Sequence, residues 1–399
     1  MNAYGLSGLL VHAAGALAWL AAALAGAQAQ AQPTAAPGLK LTLGPGTELV
    51  FNPKRDRCDG HDVPDAPLRA FRDAEGKTVA FGLHFVNRAL RGESLDRIKI
   101  DCQVVLNSKH LSDPAAYDDY NWITATWTED GKTVNAIIHH EYHAHEHAGR
   151  CAFKEMMKCW YNTLVGYRSS DGGSNFERAG TQPVVAAPAF RQDQNQGRHR
   201  GFFNPSNIVA MGQHRYFLAS NTGWDGQAFG VCVFRTRTPD DPASWRAWDG
   251  KDFSRRYGDP YGPAGTNAGK PCVPVQPFQA PVGSIVKHSS GQFLAVYQAW
   301  KDDKFHPLAG IYYATSRNLT EWSTPRLLLA GATNYDDPCK TPGPLMGYPS
   351  LMDPQSKARN YDETGDSAQL YYVSLETRGC QITSNRDLLR RPVQISVAR

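Results

Sequence analysis

The chain has 399 residues, a formal net charge of +4 and 20% charged residues, with no run of lysine or arginine. So small and evenly mixed a charge excludes nucleic acid as the expected partner. Glycine (36), proline (26) and aromatics (17 Tyr, 16 Phe, 9 Trp) are plentiful while long 3.6-residue apolar periodicity is absent, which points to an all-β chain with many turns.

The first segment, MNAYGLSGLLVHAAGALAWLAAALAGAQAQAQP, carries an apolar run from about Ala13 to Ala25. Small residues fitting an A-x-A cleavage pattern follow. Residues 1–29 read as a signal peptide, although no Lys or Arg precedes the run, so an uncleaved anchor is the alternative. The run is short for a membrane span of about 20 residues. Residues 30–38, rich in Ala, Gln and Pro, read as a linker. The expected mature protein is secreted or periplasmic, monomeric and without stable membrane association. Its eight cysteines then suggest disulfides. Pairing neighbours gives Cys58 with Cys102, Cys151 with Cys159, Cys232 with Cys272 and Cys339 with Cys380, one of 105 connectivities for eight cysteines. The competing use of Cys151 and Cys159 is a zinc site shared with nearby histidines.

Residues 39–399 read as one domain built from a repeat: a polar start, a short β run, a turn, then two or three more β runs. Leu39 to Phe51 (LKLTLGPGTELVF) is expected to be an outer strand that closes the last repeat with the first. The starts are Asp65-Ala66-Pro67, Asn121-Trp122, Asn204-Pro205-Ser206, Val282-Gly283-Ser284 and Tyr348-Pro349-Ser350. The corresponding hairpin partners are TVAFGLHF, TVNAIIHHEYH, HRYFLASN, QFLAVYQAW and SAQLYYVSLE. Five such sheets around an axis make a five-bladed β-propeller, in which the inner strands line a central funnel.

The clearest hairpin runs from Asn121 to His147, with Glu129-Asp130-Gly131-Lys132 as its turn. If its second strand continues past Ile138, the period of two places His139, Glu141 and His143 on one face and His140 and Tyr142 on the other. A carboxylate flanked by imidazoles suits a polar cleft better than a core. Later, Ser169, Asp171, Gly173 and Phe176 fit an S-x-D-x-G-x-x-[FW] turn, whose aromatic would cover the gap between adjacent sheets.

The run GIYYATSRNLTEWSTPRLLL (Gly310 to Leu329) resembles the blade signature of five-bladed propeller glycosidases, the group of arabinanases, xylosidases and invertases. The Ser169–Phe176 turn resembles the Asp-box of sialidases. The resemblance implies an aspartate of the first inner strand as base or nucleophile, which maps onto Asp65 or onto Asp62. It also implies a glutamate acid in the third blade, where this chain has Asn204 instead.

The catalytic candidates are Asp65, Glu141, Asp62, His140 and His143, since paired carboxylates and imidazoles serve as proton-transfer groups near neutral pH. Arg69, Tyr142, Asn204, Trp224, Asp225, Lys287, Trp300, Asp302 and Tyr348 are candidates for substrate contact. Aromatic faces stack on sugar rings, and planar polar groups bind hydroxyls. No cofactor is required by this chemistry; a divalent metal ion on His143, His145 and His147 is the alternative use of that segment. The expected partner is a carbohydrate. Hydrolysis by Asp65 and Glu141 leads, ahead of elimination at a uronic acid by a histidine or tyrosine with Arg69 or Lys287 as the neutralising cation, and ahead of a non-catalytic glycan-binding propeller.

Overall fold

The computed structural model describes residues 38–263, 267–302, 304–341 and 343–397; the expected signal peptide, and the linker up to residue 37, lie outside them. Strands β1 (Leu39–Leu43) and β2 (Glu48–Phe51) precede a first antiparallel meander of β3 (Arg69–Arg72), β4 (Thr78–Phe81), β5 (Asn87–Gly92) and β6 (Lys99–Leu106). The second has β7 (Tyr120–Trp127), β8 (Val134–His143) and β9 (Trp160–Ser169), with the short β10 (Glu177–Arg178) and β11 (Val184–Ala186) both on β9. A connecting strand, β12 (Arg200–Phe203), pairs parallel with β9 and antiparallel with β14, joining this meander to the next in one hydrogen-bonded sheet. The third has β13 (Val209–Met211), β14 (His214–Asn221), β15 (Gly230–Thr236), β16 (Arg246–Trp248) and β17 (Phe253–Arg255). The fourth has β18 (Val282–His288), β19 (Phe293–Ala299), β20 (Gly310–Ser316) and β21 (Arg326–Ala330), with the short β23 (Glu363–Thr364) parallel to β18. The fifth has β22 (Leu345–Met352), β24 (Ser367–Arg378) and β25 (Gln381–Val397).

The fifth meander is completed by the opposite end of the chain. Leu39 lies opposite Val397, Leu43 opposite Val393 and Glu48 opposite Arg390, so β1 and β2 both pair with β25. The expectation for Leu39 to Phe51 is met, and the N-terminal strands close the ring.

Apolar side chains from both faces of each meander pack against the two neighbouring meanders. Phe71, Phe81 and Val105 meet Ile138, Val165 and Tyr167. Trp127 and Leu164 meet Phe217, Phe234 and Trp245, and beyond them Leu218 and Val231 meet Ile285, Phe293 and Tyr312. Val286, Leu294 and Tyr313 meet Leu351, Leu370 and Tyr372. Tyr371, Val373 and Leu375 return to Leu68, Ala80 and Leu90 of the first. Each such side chain contributes roughly 1.5–3 kcal/mol on burial, against about 1 kcal/mol for a turn hydrogen bond, so interleaved aromatics and aliphatics hold the ring. Burial on both faces is also why β19, FLAVYQA, is buried at every position. Radially arranged antiparallel meanders that close N-terminus on C-terminus are the architecture of a β-propeller.

Near the axis the first strands are tied to one another. Arg69 of β3 donates from Nε to the carbonyl of Thr124 in β7 (2.7 Å) and from Nη2 to that of Pro205 (3.1 Å). Asn207 accepts from the Ile285 amide of β18 (2.7 Å), and the Leu351 amide of β22 donates to Ser284 Oγ (2.7 Å). Phe176 ends its turn edge-on to Phe81 of the first meander, with centroids 5.7 Å apart. Within that turn Ser169 Oγ donates to Asp171 (2.7 Å), which accepts the amides of Ser174 and Asn175.

The four disulfides are Cys58–Cys102, Cys151–Cys159, Cys232–Cys272 and Cys339–Cys380, the neighbour pairing expected from the sequence. Cys151 and Cys159 are therefore not zinc ligands. Among the described residues no helix is long and apolar enough to cross a membrane.

Candidate active site

β7 and β8 form the expected hairpin, with Asn121 opposite His140 and Trp122 opposite His139, and β8 runs on to His143. The alternation then separates two sets of side chains. His139, Glu141 and His143 face a cleft of about 340 Å³ that Asp65, Asn204 and Tyr348 also line. His140 and Tyr142 point to the other face. His140 packs edge-on against Tyr117 and burial lowers its pKa to about 3, while Tyr142 donates to the Ser112 carbonyl (2.8 Å) and stacks on His147. Neither reaches the cleft.

Asp65 arrives from the segment before β3. Its carboxylate accepts from Tyr348 Oη (3.0 Å) and is ion-paired with Arg386 of β25, and His84 Nε2 lies 3.4 Å away. Three distant stretches of chain therefore fix one carboxylate. Tyr348, which aims its hydroxyl at Asp65, has φ of 55°, and Asn204 has φ of 46°. Left-handed backbone at non-glycine residues costs free energy and concentrates where side chains must be placed for function.

Glu141 is opposite in character. Burial raises its pKa; the hydrogen bond with His143 Nε2 (2.9 Å) and that imidazole's charge oppose the rise, and the charge of Asp65 adds to it. Burial would lower His143, but Glu141, followed by Glu146 and Asp119, overcomes it and leaves the imidazole raised. Both partners are thus biased toward keeping a proton. Beside them, His139 is pushed far down by burial and is neutral. Asn162 Nδ2 donates to its Nε2, which leaves the ring proton on Nδ1, 3.6 Å from Glu141 Oε1. The Asp119 carboxylate accepts the His143 backbone amide (2.8 Å) and so anchors the end of β8.

The remaining candidates lie elsewhere. Asp62 is fully buried, accepting the amides of Cys58 (2.8 Å) and Asp59 (2.9 Å) and pairing with Arg88 (2.7 Å): it staples a turn. Arg69 is spent on carbonyls at the axis, and burial lowers its pKa to about 9. Lys287 and Trp300 are not among the cleft residues; the Lys287 amide donates to the Asp362 carbonyl, and Trp300 packs edge-on against Tyr335. Asp302 caps a turn through the amides of Lys304 and Phe305 and binds buried His306. Trp224 and Asp225 line a separate cleft. His143 and His145 each lie 3.7 Å from Glu146 Oε1, whereas His147 turns away, its Nε2 3.0 Å from Asp119. Among the described residues no group of three or more His, Cys, Asp or Glu is arranged to hold a metal ion.

The cleft also holds residues that sequence reasoning passed over, among them Phe85, Tyr120, Trp122 and Trp160. Tyr120 and Trp122 could have been read from the alternation of β7, which puts them on one face. Arg386 carried no signal, being 321 residues from Asp65.

No family model matches the chain, and no curated protein matches it. Several solved structures are similar in backbone. A protein of unknown function from Dyadobacter fermentans has 10% identity and a TM-score of 0.49, over 88% of this chain and 100% of that one. The endo-arabinase of Bacteroides thetaiotaomicron has 10% identity and a TM-score of 0.46, over 85% and 98%. An N-acetylgalactosamine deacetylase from F. plautii has 13% identity and a TM-score of 0.46, over 89% and 95%. Likeness at this level assigns no reaction.

Proposed function

We propose that this chain is a five-bladed β-propeller glycoside hydrolase, secreted or periplasmic, in which Glu141 and Asp65 act on a glycosidic bond. The observation that carries the reading is that two carboxyl groups from different meanders, Asp65 beside Arg386 and Glu141 beside His143, face one aromatic-walled cleft. The Glu141–His143 pair, biased to keep a proton, donates it to the departing glycosidic oxygen. Asp65, held by Arg386 and Tyr348 as a proton acceptor, either attacks the sugar carbon or activates the water that does. Phe85, Trp122 and Trp160 supply flat apolar surface against which sugar rings stack. The five meanders correspond to five blades, and the Ser169–Phe176 turn to an Asp-box. Four disulfides fit an oxidising compartment.

Elimination is the weaker reading because its cations are missing from the cleft: Arg69 is buried on carbonyls and Lys287 lies outside it. The deciding experiment incubates mature protein with a panel of neutral and uronic-acid polysaccharides and reads reducing ends and ultraviolet absorbance together. Reducing ends without absorbance, lost in Asp65→Asn at unchanged melting temperature, are the expected result. Absorbance from an unsaturated sugar would move the protein to the lyases, and silence throughout would favour a glycan-binding propeller. The anomeric configuration of the first product, read by NMR, distinguishes direct attack by Asp65 from attack by water.

A further inference from the structure

The second cleft, of about 530 Å³, lies beside the first. Gln196 on its wall donates from Nε2 to the carbonyl of Trp160, a residue of the first cleft, and His199 stacks on the same indole at 4.3 Å. The composition of the second cleft differs sharply. Three arginines, Arg191, Arg200 and Arg255, and two carboxylates, Asp193 and Asp225, line it together with the partly buried Trp224.

Several of its polar groups lack partners among the described residues. The Arg200 guanidinium makes neither a hydrogen bond nor an ion pair among the described residues; it stands over the Phe190 ring at 5.9 Å, with the Asp225 charge nearby. Arg255 donates from Nη1 to the Gly269 carbonyl (2.7 Å), but its Nε is buried without a partner. Gln196 Oε1 is a buried acceptor without a partner. Buried polar atoms left unpaired are costly, and a site that keeps both a donor and an acceptor in that state suits a ligand offering both kinds of group. Burial, then Arg198 alongside, lower the pKa of Arg200 more than the Asp225 charge raises it, and a bound anion would add to the Asp225 effect.

We propose that this cleft is a binding site for an acidic saccharide, its carboxylate or sulfate on Arg200 and Arg255, a hydroxyl on Gln196 and a ring face on Trp224. Guanidinium forks match such oxyanions, and an indole face matches a sugar ring. The site is distinct from the carboxylate cleft and does not depend on hydrolysis there.

The test is calorimetric titration of the full protein with three hexasaccharides: a polygalacturonate fragment, a chondroitin sulfate fragment and a neutral arabinan fragment. Binding of one or both acidic probes is expected, with the neutral probe at least tenfold weaker. Whichever acidic arm binds more tightly identifies the oxyanion. Arg200→Gln is expected to weaken that binding about tenfold, or about 1.4 kcal/mol, at unchanged melting temperature; Asp65→Asn, in the other cleft, should leave it unaltered. Equal affinity for the neutral probe, no binding of either acidic probe, or full affinity in Arg200→Gln would each overturn the proposal. Since Trp224 packs against Phe202 and Tyr257 and its replacement risks the fold, Gln196→Ala serves as the second variant, and a threefold or greater loss is expected. Turnover without acidic binding would sink this inference alone, and binding without turnover would sink only the hydrolase reading.

Discussion

At Glu141, burial and the neighbouring imidazole act on one proton in opposite directions, and the outcome sets a pH dependence. A raised acid stays protonated to higher pH, so its limb of the kcat/KM profile is the alkaline one: activity falls as pH rises through the titration of the Glu141–His143 pair. Glu141→Gln should lower kcat about 10²–10⁴-fold on substrates with poor leaving groups and remove that limb. A full alkaline limb surviving in the variant would assign it to another group. Asp65 depends on a partner far away in sequence. Arg386→Met should cost about 10–100-fold in kcat by freeing the carboxylate from its productive geometry, and Arg386→Lys should recover part of that loss. Equal activity of the Met variant and the wild type would show that Tyr348 alone positions Asp65.

Among elements, the hairpin of β7 and β8 explains why reading this segment as a strand placed its side chains. Alternation along VNAIIHHEYH assigns each side chain to a face before any tertiary contact forms, so the set of His139, Glu141 and His143 follows from β structure alone. The first strands answer to tertiary forces instead. Arg69 falls in a short β run beside two aspartates and reads as a substrate ligand, yet it crosses to β7 and to the segment before β13 and is 2% exposed. Its task is to satisfy carbonyls where inner strands converge. Arg69→Met should therefore cost about 2–4 kcal/mol in urea unfolding, since it leaves those acceptors buried and unpaired. An unchanged midpoint would mean that water replaces the guanidinium.

The whole molecule carries several histidines that folding keeps neutral. His139 is pushed well down by burial, and His140 and His199 are each pushed down to about 3. Unfolded histidine titrates near 6.5, so between about 6.5 and 3 the unfolded chain takes up protons that the folded one refuses, and stability falls as pH falls through that window. Asp362, raised by burial to about 6, acts the other way, its contribution being present at low pH and lost as pH rises through about 6. His84 and His214, also lowered by burial, join the first set, and Glu141 and His143, both raised, join Asp362; five groups against three leave a net loss on acidification. The melting temperature should drop from pH 7 to 4.5, and His140→Gln should flatten the slope; a flat profile in the wild type would show that these rings are hydrated in solution. What the sequence determined by itself was local: strand periodicity, turn chemistry, which residues of β8 share a face, and neighbouring cysteines close enough along the chain to be paired by the same meander. Tertiary structure alone decided which carboxylate Arg386 holds, that Asp62 staples a turn while Asp65 opens into a cleft, and that Trp224 and Asp225 belong to a second cleft. Period-two geometry is written in adjacent residues, whereas closing a ring of sheets brings together side chains whose separation along the chain carries no trace of their contact.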